Sequence, residues 1–188
     1  MKRKVIICLS TIFCLAALCL FIYYLNKGDS SRWQVAAGGF GVSALPLLLL
    51  FTKRNPFNIP IIIGYYIAIL CTTFLGSIAT FYLKYKWWDS TIHLYKGMLV
   101  VFIGIALYKL LVPEGSRPGV SKLLLGLFTI SLAVTSSVLW EIYEYVGDLF
   151  FTHTMQLGGN KDTMLDLLAG TSGGLAASLY SFIRKEKL

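Results

Sequence analysis

The sequence predicts an all-α membrane protein: a polytopic transmembrane helical bundle of six helices, forming one domain over residues 1–188. Three observations carry this expectation. Hydrophobic residues make up 56% of the chain and charged residues only 14%, whereas a soluble domain holds about 25% charge. Mean hydropathy is +0.70. The charges also collect in short clusters between apolar runs, and each run approaches the roughly 20 residues that a bilayer-spanning helix needs.

The helices are expected at approximately 5–24, 33–51, 59–82, 89–112, 122–145 and 162–183. The first follows Lys2-Arg3-Lys4 and runs apolar to Tyr24, 20 residues in all. That exceeds the 7–15 residue core of a signal peptide, so it reads as a retained helix. The second is loosened by Gly38, Gly39, Gly41 and Pro46, which a membrane helix tolerates when its neighbours satisfy the backbone. The third ends at Lys84-Tyr85-Lys86-Trp87-Trp88, where the tryptophan pair reads as an interfacial anchor. Pro113 to Pro118 is a turn after the fourth. The fifth is apolar from Leu123 to Trp140, about 27 Å of helix, so the mixed stretch after Glu141 lies at or just beyond the membrane boundary. Gly158-Gly159-Asn160 marks a loop before the sixth, which Arg184-Lys185-Glu186-Lys187 closes.

Basic residues set the orientation. With the N-terminus inside, eleven fall on inner segments and six on outer ones (Lys27, Arg32, Lys84, Lys86, Lys96 and Lys161). The bias predicts both ends in the cytoplasm. The net charge of +8 therefore belongs to topology and lipid headgroups, not to a nucleic-acid partner. Cys8, Cys14, Cys19 and Cys71 lie at membrane depth without CxxC spacing, and read as small apolar residues.

Acidic residues divide the opposite way. Only Glu114 and Glu186 fall inside, while Asp29, Asp89, Glu141, Glu144, Asp148, Asp162 and Asp166 fall at outer helix ends. Asp89 and His93 are four apart, with Lys96 three further on. Glu141, Glu144 and Asp148 stand at i, i+3 and i+7, and Asp162 and Asp166 are four apart. Such spacings share a helix face, and burying the polar stripes against one another costs less than facing them to lipid. Convergent carboxylates beside one imidazole need either protons or a cation, and suit zinc, manganese or magnesium. His93, Glu141 and Asp166 are the candidate metal ligands. Glu144 or Asp89 would serve as general base, with Asp162, Asp148 and Lys96 in support. Against this stand plainer roles: Asp162, Asp89 or Ser90 as helix caps, Glu144 and Asp148 as solvated groups, His93 as a hydrogen-bonded interface residue, and His153 as a solvated loop residue.

Gly170 and Gly174 form GxxxG, and Asp166, Gly170, Gly173 and Ala177 share a face, so the face carrying Asp166 should pack closely on a neighbour. Ser131, Thr135, Ser136 and Ser137 suit interhelical hydrogen bonding. GxSxG, HExxH and P-loop patterns are absent from the sequence.

Trp88-Asp89-Ser90-Thr91-Ile92-His93 with Gly97, Leu139-Trp140-Glu141-Ile142-Tyr143-Glu144, and Asp162-Thr163-Met164-Leu165-Asp166 with its trailing glycines resemble the YjdF-like family of small bacterial membrane proteins. More remotely, the chain resembles VanZ-like proteins linked to glycopeptide resistance. The resemblance implies a helical bundle of the bacterial cytoplasmic membrane. It directs attention to Asp89, His93, Glu141, Glu144, Asp162 and Asp166, and supplies no activity.

Three functions stay open. One is a metal-assisted hydrolase or transferase acting on a lipid or lipid-linked envelope substrate. The second is a protein that binds or transports a cation or cationic solute, although the inner helix halves are almost wholly apolar. The third is a structural envelope factor stapled by a polar network.

Overall fold

Every apolar run forms a helix, and the residues at the helix ends explain where most of them start and stop. A computed structural model describes residues 1–150, 155–156 and 159–183. Those residues contain helices and turns and no strand, so the protein is all-α. His153, Gly158 and the basic cluster from Arg184 lie outside the described residues. The chain divides into two compact units, Met1–Trp88 and Asp89–Leu188.

In the first unit, α1 (Lys2–Asn26) packs beside α2 (Ser30–Ala44). Asp29 caps α2 by accepting from the Arg32 backbone N–H at 3.1 Å and pairing with its guanidinium at 2.7 Å. The backbone bond, then the guanidinium, hold this carboxyl below its ordinary pKa. Pro46 begins a tighter 3-10 segment, Leu45–Leu50, that finishes the second apolar run. Asn58 caps α3 (Ile59–Ile69), accepting from Ile61 N–H at 3.0 Å.

Ile6, Ile62, Tyr66 and Ile69 form the apolar core of this unit. Tyr66 staples its three helices: the phenol lies 2.5 Å from the Ser10 hydroxyl and donates to the Ser43 carbonyl at 3.2 Å. The expected third helix, 59–82, is divided. It continues as a wide π-helical segment, Leu70–Ile78, and breaks at Thr80, which has a left-handed φ of 63°. A four-residue helix, α4 (Phe81–Lys84), follows. Gly76 permits this reversal, because the Tyr82 ring lies where its side chain would be. Trp88 donates its indole N–H to the Cys71 carbonyl at 3.3 Å, as π-helical backbone can offer carbonyls to outside donors.

The second unit has three long helices, α5 (Trp88–Leu111), α6 (Lys122–Phe150) and α7 (Asn160–Ile183). Arg117 ends α5 by donating to the carbonyls of Lys109 (2.6 Å) and Val112 (3.1 Å). The Ser121 hydroxyl caps α6, accepting from Leu124 N–H at 3.1 Å. The α6 helix runs five residues past its expected end at 145. Its 29 residues give about 44 Å of helix, longer than the roughly 30 Å hydrocarbon core.

Val101, Ile105, Ala133 and Ala177 form the apolar core of this unit, and small residues set the helix spacing. A β-carbon on Gly97 would overlap the Gly170 carbonyl, and one on Gly173 would overlap the Leu94 carbonyl. Backbone thus lies against backbone where α5 crosses α7. The α6 helix buries Thr129, Ala133, Ser137 and Glu141, one residue per turn. Ser137 packs on Gly170, and the Thr129 hydroxyl lies 3.5 Å from that of Ser178. Ser131, Thr135 and Ser136, expected to bond between helices, are exposed. They lie off the four-residue spacing that marks the buried face.

Among the described residues, five helical segments are long and apolar enough to cross a membrane: Lys2–Asn26, Ser30–Leu50, Ile59–Ile78, Trp88–Leu111 and Lys122–Phe150. Six were expected. The α7 helix forms where predicted, but its composition falls short, because its buried face consists of Asp166, glycines, Ala177 and Ser178.

Candidate metal centre

Three helices bring their polar stripes together at one end of the second unit. The α5 helix contributes Asp89, Ser90, His93 and Lys96, spaced so that all but Ser90 follow one face. His93 is 2% exposed and Asp166 2%. Asp166 reaches the cluster because Gly170, one turn later, lets α7 approach so closely; Ser90 donates to its Oδ1 at 3.0 Å. Glu141 ends the small buried face of α6 and is 6% exposed.

The imidazole is bracketed. Its Nε2 stands 3.5 Å from Asp89 Oδ1 and 3.4 Å from Lys96 Nζ, and its Nδ1 stands 3.7 Å from Glu141 Oε1. The two carboxylate distances exceed the 2.7–3.2 Å range of an N–H···O bond. Glu141 Oε1 is buried without a hydrogen-bond partner. Lys96 lies over the Trp140 ring, 3.9 Å from its centroid, and the Trp140 indole donates to Glu144 Oε1 at 2.7 Å.

One ligand atom each from Asp89, His93 and Asp166 can be chosen so that all lie within 4.8 Å of one another. Donors about 2.0–2.2 Å from a tetrahedral ion stand roughly 3.3–3.6 Å apart, which is the separation of Asp89 and His93. Two carboxylates and an imidazole fit zinc or manganese, and the carboxylates also fit magnesium. The expected ligand set was His93, Glu141 and Asp166. The geometry groups Asp89 with His93 and Asp166, and sets Glu141 against the far ring nitrogen. A carboxylate there is the usual orienting partner of a metal-binding histidine.

The other expected residues separate. Glu144 is half-buried and held by Trp140. Asp148 accepts from the backbone N–H groups of Met155 (3.0 Å) and Gln156 (2.9 Å). Asp162 sits in the first turn of α7, where the helix dipole favours negative charge. It stays within electrostatic reach of Asp89, Glu141 and Asp166. Lys161 is exposed. Sequence reasoning missed Trp140 and Ser90 as partners of the carboxylates. Trp140, at Glu144 minus four, carried a helical-spacing signal.

A model of the predicted membrane protein family DUF2238 matches residues 8–187. The chain belongs to the DUF2238 family. That description records membrane residence and assigns no activity to its members. An uncharacterized protein of Thermotoga maritima is 31% identical over 98 residues, covering 50% of this chain and 47% of the relative. The chain thus spans about half the length of the curated relative it matches. No solved structure matches. For a DUF2238 protein, then, the residues of the cluster are the functional evidence.

Proposed function

We propose that this DUF2238 protein holds a divalent cation through Asp89, His93 and Asp166, and uses it in hydrolysis or group transfer on a lipid or lipid-linked envelope substrate. The observation that carries the metal centre is the buried, unpartnered Glu141 Oε1 facing His93 Nδ1. An acceptor there favours the proton on Nδ1 and leaves the Nε2 lone pair toward Asp89, as ligation requires. A bound cation would polarise a phosphoryl or acyl oxygen and activate water. Glu144 would act as general base, with Trp140 holding its carboxylate.

A lipid substrate is supported by a mainly apolar groove of about 460 Å³ between α5 and α6, whose lining includes Ile103, Leu107, Leu132, Leu139 and Trp140 beside the hydroxyls of Thr135 and Ser136. Its apolar wall lies on two helices that can span the membrane, and Trp140 joins it to the acidic cluster. A cation-free structural network is the second reading, favoured by the partners already in place, Ser90 on Asp166 and Lys96 beside His93. Elemental analysis of the purified full chain separates the two. Wild type should carry close to one equivalent of zinc or manganese, and His93→Gln and Asp166→Asn should carry almost none. Wild type without metal after growth in supplemented medium would sink the proposal.

We also propose six spanning helices with both ends inside, in a bacterial cytoplasmic membrane, consistent with the YjdF-like resemblance. The VanZ-like resemblance contributes nothing further. In a background lacking Cys8, Cys14, Cys19 and Cys71, Lys86→Cys and Gly159→Cys should react with an impermeant thiol reagent from outside, and Gly115→Cys should not. The reverse pattern would invert the bundle and move the acidic cluster to the cytoplasm.

A further inference from the structure

Lys96 has no role in the metal chemistry above, yet its ammonium occupies the most telling position in the cluster. It lies 3.4 Å from His93 Nε2, the lone pair that a metal would take. The carboxylates of Glu144, Asp89, Asp166 and Glu141 are all within its electrostatic reach. Of the basic residues, only Lys96 lies on the buried stripe of α5. Its ammonium lies over Trp140, 3.9 Å from the ring centroid, a contact that stabilises an ammonium independently of the carboxylates.

We propose that Lys96 and a divalent cation are alternative occupants of this cluster, so that Lys96 sets the affinity and occupancy of the metal site. Without metal, the ammonium compensates carboxylates that would otherwise be buried together unpaired, a costly arrangement. When the metal binds, two positive charges face the same carboxylates and the same ring nitrogen, and the ammonium gives up its place beside His93 while keeping the Trp140 contact it already makes. The cation–π contact lowers the cost of that withdrawal. Lys96 therefore keeps the bundle intact in its metal-free form, and makes metal binding weaker and reversible. This rests on the metal-centre reading and specifies how that centre is regulated.

The test uses the full chain in detergent, with zinc as the probe, and compares wild type with Lys96→Met and Lys96→Arg. Methionine keeps much of the packing on Trp140 and removes the charge; arginine keeps the charge. Lys96→Met should bind zinc roughly tenfold or more tightly than wild type, because a like charge a few ångströms from the ion is removed. In chelator the same variant should melt below wild type. Lys96→Arg should track wild type in both measurements. If Lys96→Met binds zinc no more tightly than wild type, the competition is overturned while the metal centre stands. If neither protein binds zinc, the metal centre fails and the competition with it.

Discussion

Substituting Gly97 with leucine should prevent the second unit from assembling, and alanine there should already destabilise it by roughly 1–3 kcal/mol, the range for overpacking a close contact. The added β-carbon meets backbone, the Gly170 carbonyl, and a carbonyl held in a helix cannot rotate aside as a side chain can. The α5 and α7 helices must separate, and separation withdraws Asp166 from Asp89 and His93 as well. Gly173, against the Leu94 carbonyl, should behave alike. Two glycines serve as controls. A β-carbon on Gly126 would stand 3.7 Å from Ser178 Oγ, an ordinary contact, and one on Gly38 meets nothing within 4 Å. Gly38→Ala should be neutral, or stabilising by up to about 1 kcal/mol through helix propensity. Thermal melting of the four alanine variants in detergent is the measurement. A Gly97→Ala melt equal to that of Gly38→Ala would refute the backbone-on-backbone crossing.

Chelation should lower the melting temperature of the metal-loaded wild type by several degrees. A ligand bound only to the folded state, at a hundred times its Kd, contributes about 2.7 kcal/mol, and about 1 kcal/mol moves the melt of a chain this long by roughly 2–4 °C. Asp166→Asn and Glu141→Gln should lose that response for different reasons. The first puts a neutral amide in place of a charged ligand, whereas the second weakens the hold on the imidazole. Ser90→Ala is the informative control. It removes the hydrogen bond to Asp166 and leaves the carboxylate, so it should cost about 1 kcal/mol with or without chelator and keep the metal response. If chelator leaves wild type unmoved while all three variants melt lower, the residues form a cation-free network, and the hydrolase or transferase reading falls.

Much of this architecture was legible in the residue order. Long apolar runs flanked by basic clusters determined the helices, because an unpaired backbone cannot be left in hydrocarbon. The i, i+4 spacing of Asp89 and His93, and the alignment of Asp166 with Gly170, Gly173 and Ala177, determined which faces turn inward. Helical periodicity is a local property, so it survives being read from one segment at a time. What it cannot hold is the distance and rotation between segments. The break at Thr80 depends on Tyr82 folding over Gly76, and the exposure of Ser131, Thr135 and Ser136 depends on which side of α6 meets α7. The grouping of Asp89, rather than Glu141, with His93 and Asp166 was decided by how closely Gly97 and Gly173 let two backbones approach. An ångström or two of helix separation changes which oxygen faces which ring nitrogen, and places Lys96 between Trp140 and His93. Composition and spacing determined that polar groups would meet at one end of the bundle; only the packed helices decided which atoms do.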